Sequence, residues 1–167
     1  MREAETYGLE ALTPQLEQWR KQGLTVVFTN GVFDVLHVGH VAILEAAARH
    51  GQRLVVGVNS DASVRRLGKG ADRPIQSELN RATLIGALRC VDAVVVFGED
   101  TPLSVVQHLK PDVLVKGGDY DPLCEDPSDA RYIVGSEELK GWGGQVVAVP
   151  LVPGQSTSVI LDKIRTS

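Results

Sequence analysis

The chain has 167 residues, 43% of them apolar, and a formal charge of -4 at neutral pH. That is enough chain to bury a core without help from metals or disulfides, and the acidic balance argues against a domain built to coat a nucleic-acid backbone. The two cysteines, Cys90 and Cys124, show neither CxxC spacing nor a secretory framework, so ordinary thiols of a reducing cytoplasm are expected.

The charged opening "MREAETYGLEALTPQLEQWRKQG" lacks an apolar signal-peptide core, and no stretch reaches the ~18 consecutive apolar residues of a membrane span. Neither export nor membrane anchorage is expected. The segment "TPQLEQWRKQG" reads as a helix capped by Thr13, with Pro14 in its first turn and Gly23 closing it. Strand-like runs then follow at 24–29 ("LTVVFT"), 53–58 ("RLVVGV"), 93–97 ("AVVVF"), 112–115 ("DVLV") and 145–150 ("QVVAVP"). They are valine-rich and continuous rather than alternating, as strands covered on both faces are. Helical patterns separate them: "VGHVAILEAAARH", "SELNRATLIGALRC", "PLSVVQHLK", "SDARYIVGSEELKG" and the terminal "STSVILDKIR".

This alternation predicts an α/β fold: a Rossmann-like, doubly wound sheet of about five parallel strands with flanking helices. A single domain spanning 1–167 is expected, with an N-terminal helix over 1–23 and an α/β core over 24–167. In such sheets ligands sit beyond the carboxyl ends of the strands, where strand order reverses. The segments to inspect are therefore "NGVFDVLHVGH", "NSDASVRRLGKG", "GEDTPL", "KGGDYD" and "VPGQSTS".

In the first of these, His37 and His40 stand three apart at a predicted helix start, so both imidazoles can point into the crevice. A helix N-terminus offers unpaired N–H groups and partial positive charge, and Gly39 lacks the side chain that would hold a phosphate off the backbone. The combination suits a polyphosphate. Competing readings are a metal pair, which lacks further ligands at helpful spacing, incidental polar residues at a helix start, and a hydrolase triad of His37, Asp34 and a serine, for which there is no G-x-S-x-G elbow. Neither G-x-x-x-x-G-K-[ST] nor G-x-G-x-x-G is present, so any phosphate site is of another kind.

With "QSTSVI" near the C-terminus, "TNGVFDVLHVGH" resembles the HxGH nucleotidyltransferase superfamily. The wider set "FTNGVFDVLHVGHV", "VNSDASVRRL", "RPI", "LRCVDAVVVF", "EDTPL", "PDVLVKGGDY" and "LVPGQSTS" resembles its heptose 1-phosphate adenylyltransferase branch over nearly the whole chain. That resemblance implies transfer of AMP from ATP to a phosphorylated sugar by direct in-line attack, with pyrophosphate released. His37, His40 and Lys69 would be the catalytic groups. Asn30, Gly31, Val32, Phe33, Gly39, Ser156, Thr157 and Ser158 would bind the nucleotide, the last three through hydroxyls and N–H groups on the β- and γ-phosphates. Asp34, Arg81, Lys116 and Asp119 would bind or orient the substrate.

Each has a plainer reading. Ser156 can be an ordinary N-cap, Asp34 can bond the N–H groups of its turn, Lys116 can be solvated at a strand end, and Arg81 can lie on a helix surface. Lys69, with Arg65, Arg66 and Arg73, can belong to hydrated loop. Magnesium is expected with ATP, held mainly by phosphates and water rather than by protein ligands. A homodimer is implied by the resemblance, and a separate kinase would supply the sugar phosphate. The alternatives are a cytidylyltransferase acting on glycerol 3-phosphate or a similar alcohol phosphate, and a non-catalytic nucleotide-binding module. "LVPGQSTS" lacks the arginine that such cytidylyltransferases tend to carry just before their hydroxyl cluster, which favours ATP. Two departures stand out: "RRLGKGADRPI" and "DPLCEDPSDARYIV" are both longer than the branch usually has.

Overall fold

The structure, a computed structural model, describes residues 5–68, 70, 72–118 and 120–166. The valine runs form a wholly parallel sheet: β1 (Glu5–Tyr7), β2 (Val26–Gly31), β3 (Arg53–Asn59), β4 (Ala93–Phe97), β5 (Val113–Gly117) and β6 (Gln145–Val149). Strand order is β1-β4-β3-β2-β5-β6. The five core strands stand where the valine pattern puts them. The sixth, β1, comes from the segment read as wholly helical and pairs its three residues with Ala93–Val95 at the sheet edge.

Seven α-helices accompany the sheet among the described residues: α1 (Thr13–Lys21), α2 (Val38–Ala48), α3 (Asp61–Arg66), α4 (Glu78–Gly86), α5 (Leu103–Leu109), α6 (Ser136–Gly141) and α7 (Thr157–Arg165). Successive strand residues part to opposite faces, as the period of two requires. Val26, Phe28, Val55 and Leu114 pack with Leu16, Trp19, Leu109 and Leu139 on one side. Val27, Leu54, Val56 and Val115 pack with Leu44, Ala47, Ala82 and Ile85 on the other. Burial on both faces is why these strands read as continuous apolar runs.

Three local expectations are corrected. Thr13 is not the cap of α1: it is the first helical residue, Leu12 precedes it without a side-chain cap bond, and the Thr13 hydroxyl meets His108 Nε2 at 2.9 Å. Residues 61–66, read as loop, form α3, capped by Ser60. The segment 128–141 is helical only from Ser136, because Asp126 and Asp129 bond their own downstream N–H groups and so hold turns instead. Among the described residues no helix is long and apolar enough to cross a membrane.

The topology fixes where a ligand can sit. From β2 the chain winds through β3 to β4 on one side, while β5 and β6 lie on the other. The reversal between β2 and β5 leaves a crevice above their carboxyl ends, facing the N-terminus of α2.

Candidate active site

That crevice has a volume of about 760 Å3. Its floor is the end of β2 with the turn that follows, and the turn is strained: Phe33 and Val35 both adopt φ of 52°. A left-handed conformation is an outlier for a β-branched residue and persists only where neighbours over-determine it. Asp34, between the two, supplies the neighbours. Its side chain is fully buried and accepts from Arg73 Nε at 2.6 Å, Ile75 N–H at 2.8 Å and Gln76 N–H at 3.0 Å. Its carbonyl accepts from the Thr157 hydroxyl at 2.6 Å. One aspartate thereby ties the turn to the loop before α4 and to the start of α7.

These bonds go to the 73–76 loop rather than to the N–H groups of Asp34's own turn, and Asp34 also lines the crevice. Asp34→Asn keeps the shape but removes the charge facing Arg73 and turns one acceptor into a donor. It is expected to cost about 2 kcal/mol, the scale of a hydrogen bond to a charged group, read as a lower urea midpoint. Unaltered stability would contradict this account of the turn.

His37 caps α2 with its own ring. Its Nδ1 accepts the Gly39 N–H at 3.1 Å, which requires the neutral ring to carry its proton on Nε2. Burial lowers the pKa of His37 from its ordinary value, in keeping with that neutral form. The His40 ring stacks on it at 3.7 Å between centroids and 26° between planes, and Phe33 meets His40 edge-on at 5.3 Å. Both histidines line the crevice.

Gly39 lines the crevice and has a further task there. A Cβ there would lie 3.0 Å from the His37 ring and 3.2 Å from Gln155 Cβ. The space is needed by the imidazole, and the Gly39 N–H is already used by that ring.

The hydroxyl trio divides similarly. Ser156 Oγ accepts from Val159 N–H as the cap of α7 and keeps its own proton to donate. The Thr157 proton is committed to Asp34, and only Ser158 presents an exposed hydroxyl. All three line the crevice. The amides of Thr157 and Ser158, in the first turn of α7, add donors with the favourable end of the helix dipole.

Lys116, next to last in β5, donates to Asn30 Oδ1, with its ammonium 5.9 Å from the Tyr120 ring centre. Asn30, Gly31, Val32 and Phe33 also line the crevice. Arg81 does not. Its guanidinium is fully buried and donates to Val32 O at 2.7 Å, Gln76 O at 3.0 Å and Asp61 Oδ1 at 2.7 Å, so it is neither a surface residue nor a ligand of the crevice. It braces the crevice floor from beneath. Arg66 bonds Asp100 and the Gly98 carbonyl. Lys69 and Asp119 lie outside the described residues.

Sequence reasoning missed several lining residues, and they fall into two arms. Above β3 and β4 stand Asn59, Leu67, Asp100 and Thr101; above β5 and β6 stand Tyr120, Tyr132, Leu151 and Val152. A strand-end rule points to the first set through "NSD" and "GEDT". Tyr132 carries no comparable signal, since it follows a polar, acidic loop.

The Cytidylyltransferase-like family matches residues 28–160. The chain is 57% identical over 152 residues to Bifunctional protein HldE of Gluconobacter oxydans and 50% identical over 164 residues to the HldE protein of Geotalea uraniireducens. These matches cover 91% and 98% of this chain but only 30% and 32% of those proteins. The chain thus spans about a third of the length of the relatives it matches. A solved lipopolysaccharide core biosynthesis protein from Thermoplasma volcanium is 31% identical, with a TM-score of 0.58, covering 78% of this chain and 98% of that one. Pantoate-beta-alanine ligase from Francisella tularensis, at 14% identity and a TM-score of 0.63 over 93% of this chain and 69% of that one, shares the fold. With the family pattern spanning the crevice from β2 to α7, the chain belongs to the Cytidylyltransferase-like family.

Proposed function

We propose that this domain is an adenylyltransferase that moves AMP from ATP onto heptose 1-phosphate, giving ADP-heptose and pyrophosphate. One observation carries the reading: the histidine pair of α2 and the N-terminus of α7, about 120 residues apart in sequence, open onto one crevice and are joined by the Thr157–Asp34 bond. Identity above 50% to a relative named HldE supports the choice of branch.

In this mechanism an oxygen of the sugar phosphate attacks the α-phosphorus, the bond from that phosphorus to the bridging oxygen breaks, and its electron pair leaves with pyrophosphate. No covalent enzyme intermediate is needed, so positioning and electrostatic stabilisation carry the rate. His37 donates from Nε2, and His40 acts beside it on the charge that develops on the phosphoryl oxygens. The α7 N-terminus, with Ser156 and Ser158, holds the β- and γ-phosphates. Lys69 and Asp119 keep the roles the resemblance implies.

The chemistry of the two arms assigns the rest. Tyr120, Tyr132, Leu151 and Val152 offer rings and apolar surface to a flat nucleobase, whereas Asn59, Asp100 and Thr101 offer hydrogen bonds to a polyhydroxylated sugar. This moves Lys116 to the nucleotide side. Magnesium would arrive with ATP. Among the described residues there is no group of three or more His, Cys, Asp or Glu able to hold a metal, and the Asp34 carboxylate is occupied by Arg73 and two N–H groups. In this reading phosphate oxygens and water hold the ion. ATP as donor suits a cytoplasmic enzyme, and a kinase activity must supply the sugar 1-phosphate.

The test is pyrophosphate release with ATP, CTP or GTP crossed with heptose 1-phosphate, glycerol 3-phosphate or phosphopantetheine. ATP with heptose 1-phosphate is expected to be fastest. Fastest release with CTP and glycerol 3-phosphate would replace this assignment with the cytidylyltransferase one.

A further inference from the structure

Residues 121–131 form a loop closed at its base by a backbone bond from Asp121 N–H to Arg131 O, 3.0 Å long. The two residues immediately outside that bond are Tyr120 and Tyr132, and both line the crevice. Closing the loop therefore brings the chain at Tyr120 and at Tyr132 to the same crevice from the two ends of the loop.

The far side of the loop is firmly anchored. Ile133, next to Tyr132, is fully buried in the core between the sheet and α5, α6. Gly135 has φ of 93°, and a Cβ there would lie 3.0 Å from Val106 of α5, so the chain is pressed against that helix. Within the loop, Arg131 forks onto Asp129 at 2.7 and 3.1 Å, and Tyr132 N–H bonds Asp129 O at 3.0 Å. That guanidinium holds the Asp129 carboxyl down to about 2, so the clip stays charged across the neutral range. Tyr132 is half-buried, and its neighbour Val134 also lines the crevice. Nothing in the packing of the core requires an aromatic ring at position 132.

We propose that Tyr132, delivered by this loop, is a specificity-determining residue of the nucleotide site, forming with Tyr120 an aromatic bracket for the base of the donor nucleotide. This rests on the adenylyltransferase reading for the identity of that base. A purine offers a larger flat face than a pyrimidine, so the bracket holds ATP more tightly than CTP.

Calorimetric titration of the whole chain with ATP, CTP and inorganic tripolyphosphate tests it in wild type, Tyr132→Leu and Tyr132→Phe. Tyr132→Leu keeps apolar bulk, so folding is preserved and a thermal melt verifies it. It is expected to raise the Kd for ATP roughly tenfold, within the range for losing one base–aromatic stack, and to narrow the preference for ATP over CTP. Tripolyphosphate binding is expected to stay unchanged, and Tyr132→Phe to keep wild-type affinity. An unchanged ATP Kd in Tyr132→Leu would overturn the proposal, as would equal losses for ATP and tripolyphosphate. ATP binding that responds in this way, in a protein that releases no pyrophosphate with heptose 1-phosphate, would sustain the bracket while sinking the proposed reaction.

Discussion

His40→Ala is expected to fold normally and to lower turnover by ~10²–10³, the scale for removing one transition-state donor. His40 suits this test better than His37, because His37 also caps α2 through its bond from the Gly39 amide. Loss of a cap costs about 1 kcal/mol, so His37→Ala would mix a structural effect with a chemical one. The His40 ring stacks on His37 and meets Phe33 edge-on, and its removal leaves a small gap at the crevice wall. Near-normal turnover in a folded His40→Ala protein would remove this histidine from the mechanism. A rise in KM with kcat unchanged would mean that it binds substrate and transition state equally.

Arg81→Met is expected to destabilise the protein by about 3 kcal/mol, the low end of the cost of breaking a buried ion pair, because the Asp61 carboxylate left behind is 23% exposed. Three acceptors lose their donor together: Asp61, Val32 O and Gln76 O. Two of them bear on the crevice floor, since Val32 lines it and Gln76 is itself bonded to Asp34. For a domain of this size the loss corresponds to a fall in Tm of roughly 10 °C. Arg81→Lys is expected to recover only part of it, because an ammonium cannot reach three divergent acceptors as a planar guanidinium does. Urea unfolding gives the magnitude. A loss below about 1 kcal/mol for Arg81→Met would show that the buried network contributes little.

These two residues also mark what sequence could and could not reveal. The five core strands were legible because burial on both faces forces continuous valine runs, and the histidine pair was legible as a pair at a helix start, although His37 is the extended cap of α2 rather than a helical residue. Arg81 was not. Its partners stand 5, 20 and 49 residues away, and no local pattern tells a buried arginine in "ELNR" from a solvated one.

Asp34 and Thr157 failed to declare their roles for the same reason, since the bond between them spans 123 positions. Short elements escaped as well: β1 has three residues and α3 has six, too few for periodicity to speak. The error at 128–135 came from taking helical spacing at face value where Asp126 and Asp129 favour turns and Gly135 adopts a left-handed conformation. Gly39 shows a subtler gap. The sequence shows the need for glycine but not that the His37 imidazole also takes the room beside it.

The central claim is that the histidines of α2 and the start of α7 act on one triphosphate. A crystal structure with a non-hydrolysable ATP analogue tests it most directly. The account predicts β- and γ-phosphates against the amides of Thr157 and Ser158, the α-phosphate within hydrogen-bond reach of the His37 and His40 rings, and the base beside Tyr120. A triphosphate bound away from α7, or an α-phosphate out of reach of both rings, would contradict it.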